Sequence, residues 1–389
     1  MQQNPLLKIQ DFGQSIWLDY ISRGMIDSGE LDRLIREDGI RGVTSNPSIF
    51  DKAIAETHDY DDSIRSLAAA GKTPEEIYEL LAVQDIQHAA DLFRFVYDES
   101  DGKYGFVSLE VNPHLAHETG ATIEEAHRLW SALNRPNVFI KVPATLEGLP
   151  AIRQLIAEGI NVNVTLLFGL PRYRKVAEAY MSGLEECAAK GKPLARVASV
   201  ASFFLSRIDA LIDPKLERLM KEDDAKAGKA LRLHGQVAVA SARVAYQIYK
   251  EIFSSDRFLS VARKGARPQP VLWASTSTKN PDYSDVKYVE SLIGPETINT
   301  LPGETIVAYR SHGNPASRLE GGLLEARELL DLLSQVNIDL DQATQDLEDE
   351  GVEKFINPFD KMMRAIAGKM TETRKAASGS QVGNTVQRP

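Results

Sequence analysis

Five short stretches of the chain each carry polar side chains out of phase with aliphatic ones, and any chemistry is to be sought there. In Asn137-Val-Phe-Ile-Lys-Val-Pro-Ala144, Val138, Ile140 and Val142 share one face of a strand. Phe139, Lys141 and Pro143 share the other, because successive strand side chains alternate. The same alternation sets Asp19 opposite Ile16 and Leu18, and Glu110 opposite Val107, Leu109 and Val111. It sets Asn163 and Thr165 opposite Val162, Val164 and Leu166, and puts Ser202 and Phe204 on one face of Ala195–Phe204. A lysine such as Lys141 can be a surface charge on a half-exposed strand. Held inside a pocket, the same amine can attack a carbonyl and form a Schiff base. Asp19 and Glu110 can move protons, directly or through a water, or simply neutralise Lys141 as ion pairs. Asn46 and Asn163 are suited to hydrogen-bond substrate hydroxyls, Thr165 to hold a water, and Arg207 and Lys279, from two later loops, to grip a phosphate.

The elements that must position these residues repeat. Strand candidates are Ser15–Ile21, Gly42–Ser48, Tyr104–Val111, Asn137–Ala144, Asn161–Phe168, Ala195–Phe204, Pro270–Thr276 and, weakly, Thr297–Leu301. Helical segments separate them. One follows a plausible cap at Ser28. Another begins at Thr73, with Pro74 at the first helical position and Glu76 completing a capping-box pattern, and runs to about Tyr97. Further helices are expected over Thr122–Leu133, Gly148–Glu158 and Pro171–Lys190, with two or more in Pro214–Lys264. Alternating strands and helices argue for a parallel sheet with helical crossovers, and eight units favour a closed (β/α)8 barrel, a TIM barrel with additional helices. Its active site would lie at the C-terminal strand ends, where the inward polar residues converge. The expected organisation is a single barrel domain over 1–375, with its core at about 9–333 and a helical extension at about 315–375. A Ser/Gly/Gln/Asn-rich tail, 376–389, is expected to be disordered.

Composition narrows the partners. A net charge of −10 argues against nucleic acid, while leaving room for a small anion held by a local pair of cations. One cysteine, Cys187, excludes an intramolecular disulfide framework and suits a reducing cytoplasm. No run of about 18 apolar residues predicts a membrane span. There is no G-x-G-x-x-G or G-x-x-x-x-G-K-[ST] loop for a dinucleotide or nucleoside triphosphate. His114, His117 and Glu118 form an H-x-x-H-E cluster rather than the zinc spacing H-E-x-x-H, so no metal is expected. No cofactor is expected either; a pyridoxal phosphate enzyme would also use a lysine, but would be yellow when purified.

Several stretches, in order over roughly Ile9–Leu333, resemble the transaldolase family in its longer bacterial form. They are Trp17-Leu-Asp-Tyr, Gly42-Val-Thr-Ser-Asn-Pro-Ser, Val107-Ser-Leu-Glu-Val, Val138-Phe-Ile-Lys-Val-Pro-Ala-Thr, Gly159-Ile-Asn-Val-Asn-Val-Thr-Leu-Leu-Phe and Trp273-Ala-Ser-Thr-Ser-Thr-Lys-Asn-Pro. The resemblance implies a class I aldolase-type barrel whose Schiff-base lysine lies on the fourth strand, the strand that carries Lys141. It implies transfer of a dihydroxyacetone unit from sedoheptulose 7-phosphate to glyceraldehyde 3-phosphate, giving erythrose 4-phosphate and fructose 6-phosphate. Residue by residue it implies Lys141 as nucleophile and Asp19 as the acid/base in carbon–carbon cleavage. Glu110 with Thr165 would hold the water of the carbinolamine steps, and Asn46 and Asn163 would contact the dihydroxyacetone unit. Ser202, Phe204 and Arg207 would form a Ser-x-Phe-x-x-Arg site wall, with Arg207 on the phosphate. Lys279 stands, after a slightly longer loop, where shorter members have arginine. An aldolase releasing free dihydroxyacetone and a non-catalytic sugar-phosphate-binding barrel are the competing readings.

Overall fold

The computed structural model describes residues 4–382, with side-chain surroundings as far as Thr371. Eight parallel strands close into a barrel in sequence order. They are β1 (Gln14–Leu18), β2 (Gly42–Val43), β3 (Phe106–Glu110), β4 (Val138–Pro143), β5 (Val162–Leu167), β6 (Ser199–Phe204), β7 (Val271–Ala274) and β8 (Thr297–Leu301). Pairing of β1 with β8, from Gln14↔Thr297 to Leu18↔Leu301, makes the closure. The eightfold expectation therefore holds, and Lys141 lies on the fourth strand.

The aliphatic residues of the strands face the surrounding helices, which leaves the other parity to fill the barrel. Low in the interior three aromatic rings stack: Trp17 on Phe139 at 6.1 Å, and Phe139 on Phe106 at 4.3 Å. Gly42 is required there, since a Cβ would lie 2.6 Å from the Trp17 ring and 2.8 Å from the Phe106 carbonyl. Above the rings the filling turns polar. The Asn163 amide donates to Ser108 Oγ at 3.1 Å, and Ser202 Oγ donates to Asn163 Oδ1 at 2.7 Å. A band of hydrogen-bonded groups thus separates the apolar floor from the mouth, in keeping with the rule that buried polar groups are paired.

Several boundaries differ from the sequence expectation. β1 stops at Leu18, and Asp19 continues its line with a backbone bond to the Leu301 carbonyl at 2.8 Å. β2 is two residues long, because Asn46 instead caps the helix Pro47–Ala55, accepting from the Ile49 N–H at 3.1 Å. Ser28 does not cap the helix Glu30–Glu37; Gly29, at φ 76°, turns the chain into it. The capping box at Thr73 is present, but the helix it starts ends at Leu92, and a second, Arg94–Glu99, follows. The region Pro214–Lys264 holds parts or all of four helices: Ser206–Glu222, Asp224–Leu233, Val237–Phe253 and Asp256–Ala262. The final helix, Leu340–Val382, enters the stretch expected as a disordered tail. Ala376-Ala377, at the start of that stretch, favours helix. Residues 383–389 lie outside the described ones.

This last helix crosses the barrel rather than joining its outer ring. At one end Arg172 grips Glu348 with two bonds of 2.8 and 2.9 Å, both side chains buried. At the other, Lys361 reaches Asp51 at 2.7 Å and Lys369 reaches Asp61 at 2.6 Å. Between them Gly351 lies close over Leu166 and Phe168 of the mouth.

Candidate active site

Lys141 projects from β4 into the mouth, 4% exposed, and donates to the Ser45 carbonyl at 2.9 Å and to Glu110 Oε2 at 3.2 Å. The register places Glu110 opposite it on β3 and Asn163 opposite it on β5. Glu110 is 6% exposed, and its second oxygen has no hydrogen-bond partner. Burial outweighs the attraction of Lys141 and pushes the Glu110 carboxyl up to about 7. At neutral pH it can therefore both give and accept a proton, which is what a general acid/base requires. The hydroxyl of Thr165, fully buried on β5, also lacks a partner. Each of these unpaired buried oxygens leaves a place for a water as partner, since an enclosed water takes two to four polar contacts.

Asp19 accepts from Thr44 Oγ1 at 2.7 Å, and Thr44 in turn meets Thr300 Oγ1 at 2.8 Å. Burial raises the Asp19 carboxyl above the usual carboxylate range; the Thr44 hydroxyl and the Lys141 charge pull it back. Two carboxyls raised by burial thus flank one amine, the pattern found where acid/base roles are assigned by environment.

A cavity of about 390 Å³ opens above these groups. Six of the ten sequence-predicted residues line it: Asp19, Asn46, Lys141, Phe204, Arg207 and Lys279. The other four, Glu110, Asn163, Thr165 and Ser202, are buried side chains of the strands, with Asn163 and Ser202 in the hydrogen-bonded band. Arg207 lies beside Phe204, its guanidinium carbon 5.6 Å from the ring centre, and its buried Nη1 is unpartnered. Burial lowers the Arg207 value, and burial together with the Arg207 charge lowers that of Lys279. Two cations, both disfavoured by burial and one also by the charge of the other, form a ready-made anion site, since an anion beside them relieves these penalties.

The backbone is strained where the strands reach the mouth. The β5–β6 register shifts between Val164 and Leu167, and Leu166 has φ 55°. Ser275, just past β7 and lining the cavity, has φ 54°. Non-glycine residues in this region cost roughly 1–3 kcal/mol and persist where the surroundings impose them.

Sequence reasoning missed several residues here. Lys52 and Glu304 line the cavity from two helices. Thr44 has the strand parity of Asn46 and could have been found by it. Ser45 acts through its carbonyl, which no side-chain pattern signals. Phe355, on the crossing helix, has its ring 5.5 Å from Lys141 Nζ. The histidines left aside in sequence are ion-pair partners: His114 of Asp360 at 2.7 Å, His117 of Glu147 at 3.2 Å. Among the described residues no group of His, Cys, Asp and Glu could hold a metal ion.

A closed (β/α)8 barrel with a buried lysine and two carboxyls beneath a cationic mouth has the architecture of a lysine-dependent aldolase-class enzyme. The chain belongs to the Transaldolase/Fructose-6-phosphate aldolase family, which matches residues 16–366. It is 48% identical over 375 residues to "Transaldolase 2" of Nostoc sp., covering 95% of this chain and 98% of that protein. It is also 48% identical over 374 residues to a "Transaldolase" of Trichodesmium erythraeum, with coverage of 95% and 98%. A "Transaldolase" of Saccharopolyspora erythraea is 46% identical over 367 residues, with coverage of 94% and 98%. The protein is accordingly an enzyme, a transferase of that family.

Proposed function

We propose that the protein transfers a dihydroxyacetone unit from sedoheptulose 7-phosphate to glyceraldehyde 3-phosphate, forming erythrose 4-phosphate and fructose 6-phosphate, through a Schiff base on Lys141. The observation that carries this reading is the buried Lys141–Glu110 pair, at 3.2 Å, under a cavity that also holds Asp19 and two cations. Attack on the C2 ketone needs the Nζ lone pair, and Glu110 is placed to take the amine's proton. Returned to the carbinolamine hydroxyl, that proton releases water and leaves an iminium. The iminium draws electrons from the C3–C4 bond as Asp19 removes the proton of the C4 hydroxyl. The bond breaks, erythrose 4-phosphate leaves, and an enamine remains on Lys141. The enamine carbon then attacks the aldehyde of glyceraldehyde 3-phosphate while Asp19 returns its proton. Water, held by Glu110 and Thr165, hydrolyses the new iminium to free fructose 6-phosphate. Arg207 and Lys279 hold first the phosphate of the donor, which leaves with erythrose 4-phosphate, and then that of the arriving glyceraldehyde 3-phosphate, while Asn46 and Asn163 orient the dihydroxyacetone hydroxyls. These steps use no metal and no cofactor.

The family's description names two activities, transaldolase and fructose-6-phosphate aldolase. The three relatives bear the first name, which favours the transferase and places the reaction in the non-oxidative pentose phosphate route. Among the described residues no helix is long and apolar enough to cross a membrane. With its one cysteine buried and unpaired, the chain suits a reducing cytoplasm.

Borohydride reduction in the presence of fructose 6-phosphate tests the nucleophile. It should fix one sugar adduct on Lys141, and Lys141→Ala should remain folded, form no adduct and lose turnover. A folded wild-type protein that forms no adduct would be incompatible with the mechanism. Cleavage that proceeds equally well without an acceptor aldehyde would instead identify an aldolase.

A further inference from the structure

Glu110 does not line the substrate cavity. It lines a second, separate one of about 100 Å³ with Tyr78, Glu79, Ala82, Glu125 and Phe359. That cavity lies between β3, the helices Pro74–Leu92 and Thr119–Leu133, and the crossing helix Leu340–Val382. It has room for a short chain of waters, each of which takes about 30 Å³ in the liquid. Its polar groups form a series. Glu110 Oε1 is buried and unpartnered. The Tyr78 phenol is near enough to Glu110, Glu125 and Glu79 for all three to raise its value further after burial has done so. Glu125 accepts from the Asn112 N–H at 3.1 Å and from Arg128 at 3.2 Å, and Arg128 also pairs with Glu79. Glu79 and Glu125 are half-buried, so the series ends at solvent. An apolar void would stay dry, whereas one rimmed by carboxylates, a phenol and an unpaired oxygen is built to hold water.

The reaction gives this cavity a use. Schiff-base formation joins an amine and a ketone as a carbinolamine. The hydroxyl then leaves with one proton from Glu110, so one water departs and Glu110 is left ionised. Hydrolysis consumes one water and returns that proton. Both events occur while a phosphorylated sugar occupies the mouth beneath Phe355. We propose that the cavity is a rear exit and entry for this water and its proton, passing through the barrel wall from Glu110 past Tyr78 to solvent at Glu125 and Glu79. Glu125 and Tyr78 act through the enclosed waters and are positioning residues. The proposal rests on the Schiff-base reading above.

The charged and titratable groups facing Glu110 or its cavity are Lys141 from β4, Asp19 beyond β1, Glu75, Tyr78 and Glu79 from one helix, and Glu125 and Arg128 from the next. Among the described residues, the crossing helix lines this cavity with Phe359. The charge of Glu125 is not among the causes that set the Glu110 value. A neutral replacement should therefore interrupt the route without moving the ionisation of Glu110.

The test follows loss of 18O from C2-labelled fructose 6-phosphate into water by mass spectrometry, at fixed enzyme and without acceptor. Two variants are compared with wild type: Ala82→Leu, which fills the cavity, and Glu125→Gln, which keeps its shape and its acceptor for Asn112. Label loss should slow by about tenfold or more in both, tenfold being below the usual contribution of a proton-transfer group. KM, the final borohydride adduct yield and the pH limb near 7 should be unchanged. Should Ala82→Leu fail to fold, Glu125→Gln carries the test alone. Wild-type label loss in folded Glu125→Gln, or a shifted pH limb accounting for its whole effect, would overturn the proposal. Neither result would touch the Schiff base, which fails only if wild type traps no adduct.

Discussion

Glu110 should make the enzyme less stable as the pH rises through about 7, and Glu110→Gln should show by how much. The carboxyl rises from 4.5 to about 7 on folding. A raised value means that the folded state holds the proton more tightly than the unfolded chain. The group then favours folding fully below 4.5, and that contribution is lost as pH climbs through about 7. At about 1.4 kcal/mol per pH unit, the whole effect is about 3 kcal/mol. Linkage puts roughly 2.5 kcal/mol of it between pH 5 and pH 8. Glutamine imitates the neutral acid, so the variant should unfold at higher urea than wild type at pH 8, by about 3 kcal/mol. The gap should shrink to under about 1 kcal/mol at pH 5. Turnover should fall about 10²–10⁴-fold, as expected for loss of an acid/base. The measurement is equilibrium urea unfolding of both proteins, followed by tryptophan fluorescence at several pH values. Two parallel stability profiles, with a gap that does not change with pH, would refute the reasoning: Glu110 would then be ionised alike in both states. A gain in stability accompanied by loss of function would show that this carboxyl is kept for chemistry.

Arg207→Ala should raise KM for phosphorylated substrates about 10–100-fold, the equivalent of a charged hydrogen bond worth about 1.5–3 kcal/mol. Its effect on unphosphorylated acceptors should be slight, and equal effects on both would remove it from the phosphate. Arg172→Met leaves Glu348 buried without its partner and should cost about 3–5 kcal/mol in urea unfolding. Adding Glu348→Leu should restore most of that, and a double variant as unstable as the single one would show that the pair is not what anchors the crossing helix.

The sequence made the barrel and much of its site legible because a strand alternates with a period of two. Lys141, Glu110, Asn163 and Ser202 are each out of phase with aliphatic neighbours, and in a closed barrel that parity has one destination. Once the strands are counted, the inward residues must meet. What stayed hidden depends on contacts that carry no period. The Ser45 carbonyl reaches Lys141 only because β2 ends after two residues and the chain runs on extended to the cap at Asn46. Ser28 looked like a cap, but the left-handed turn at Gly29 made the helix start instead. Lys52 is an ordinary helical lysine until Asn46 and Pro47 aim its helix over the mouth. The second cavity could not be anticipated at all, since it lies between the backs of elements whose spacing is set by tertiary packing.

The crossing helix is the strongest case of this kind, and it bears on what the barrel can do. An inward polar face solves the problem of placing catalytic groups, but it leaves a mouth open to water, where a charged pair is weak. Closing that mouth from outside needs an apolar group above the amine and anchors far from it. Leu340–Val382 supplies both. Phe355 stands 5.5 Å from Lys141 Nζ. Glu350 adds an opposing charge toward Arg207. The ion pairs of Glu348, Lys361 and Lys369 fasten the helix on either side. None of these residues matches a strand motif, and each would read in isolation as part of an ordinary amphipathic helix. Their meaning comes from the groove they cross. With Phe355 beside the amine and a phosphorylated sugar filling the mouth, the low dielectric that raises Glu110 also denies it solvent from that side. On the proposed mechanism, Glu110 is therefore best supplied with water and protons from behind.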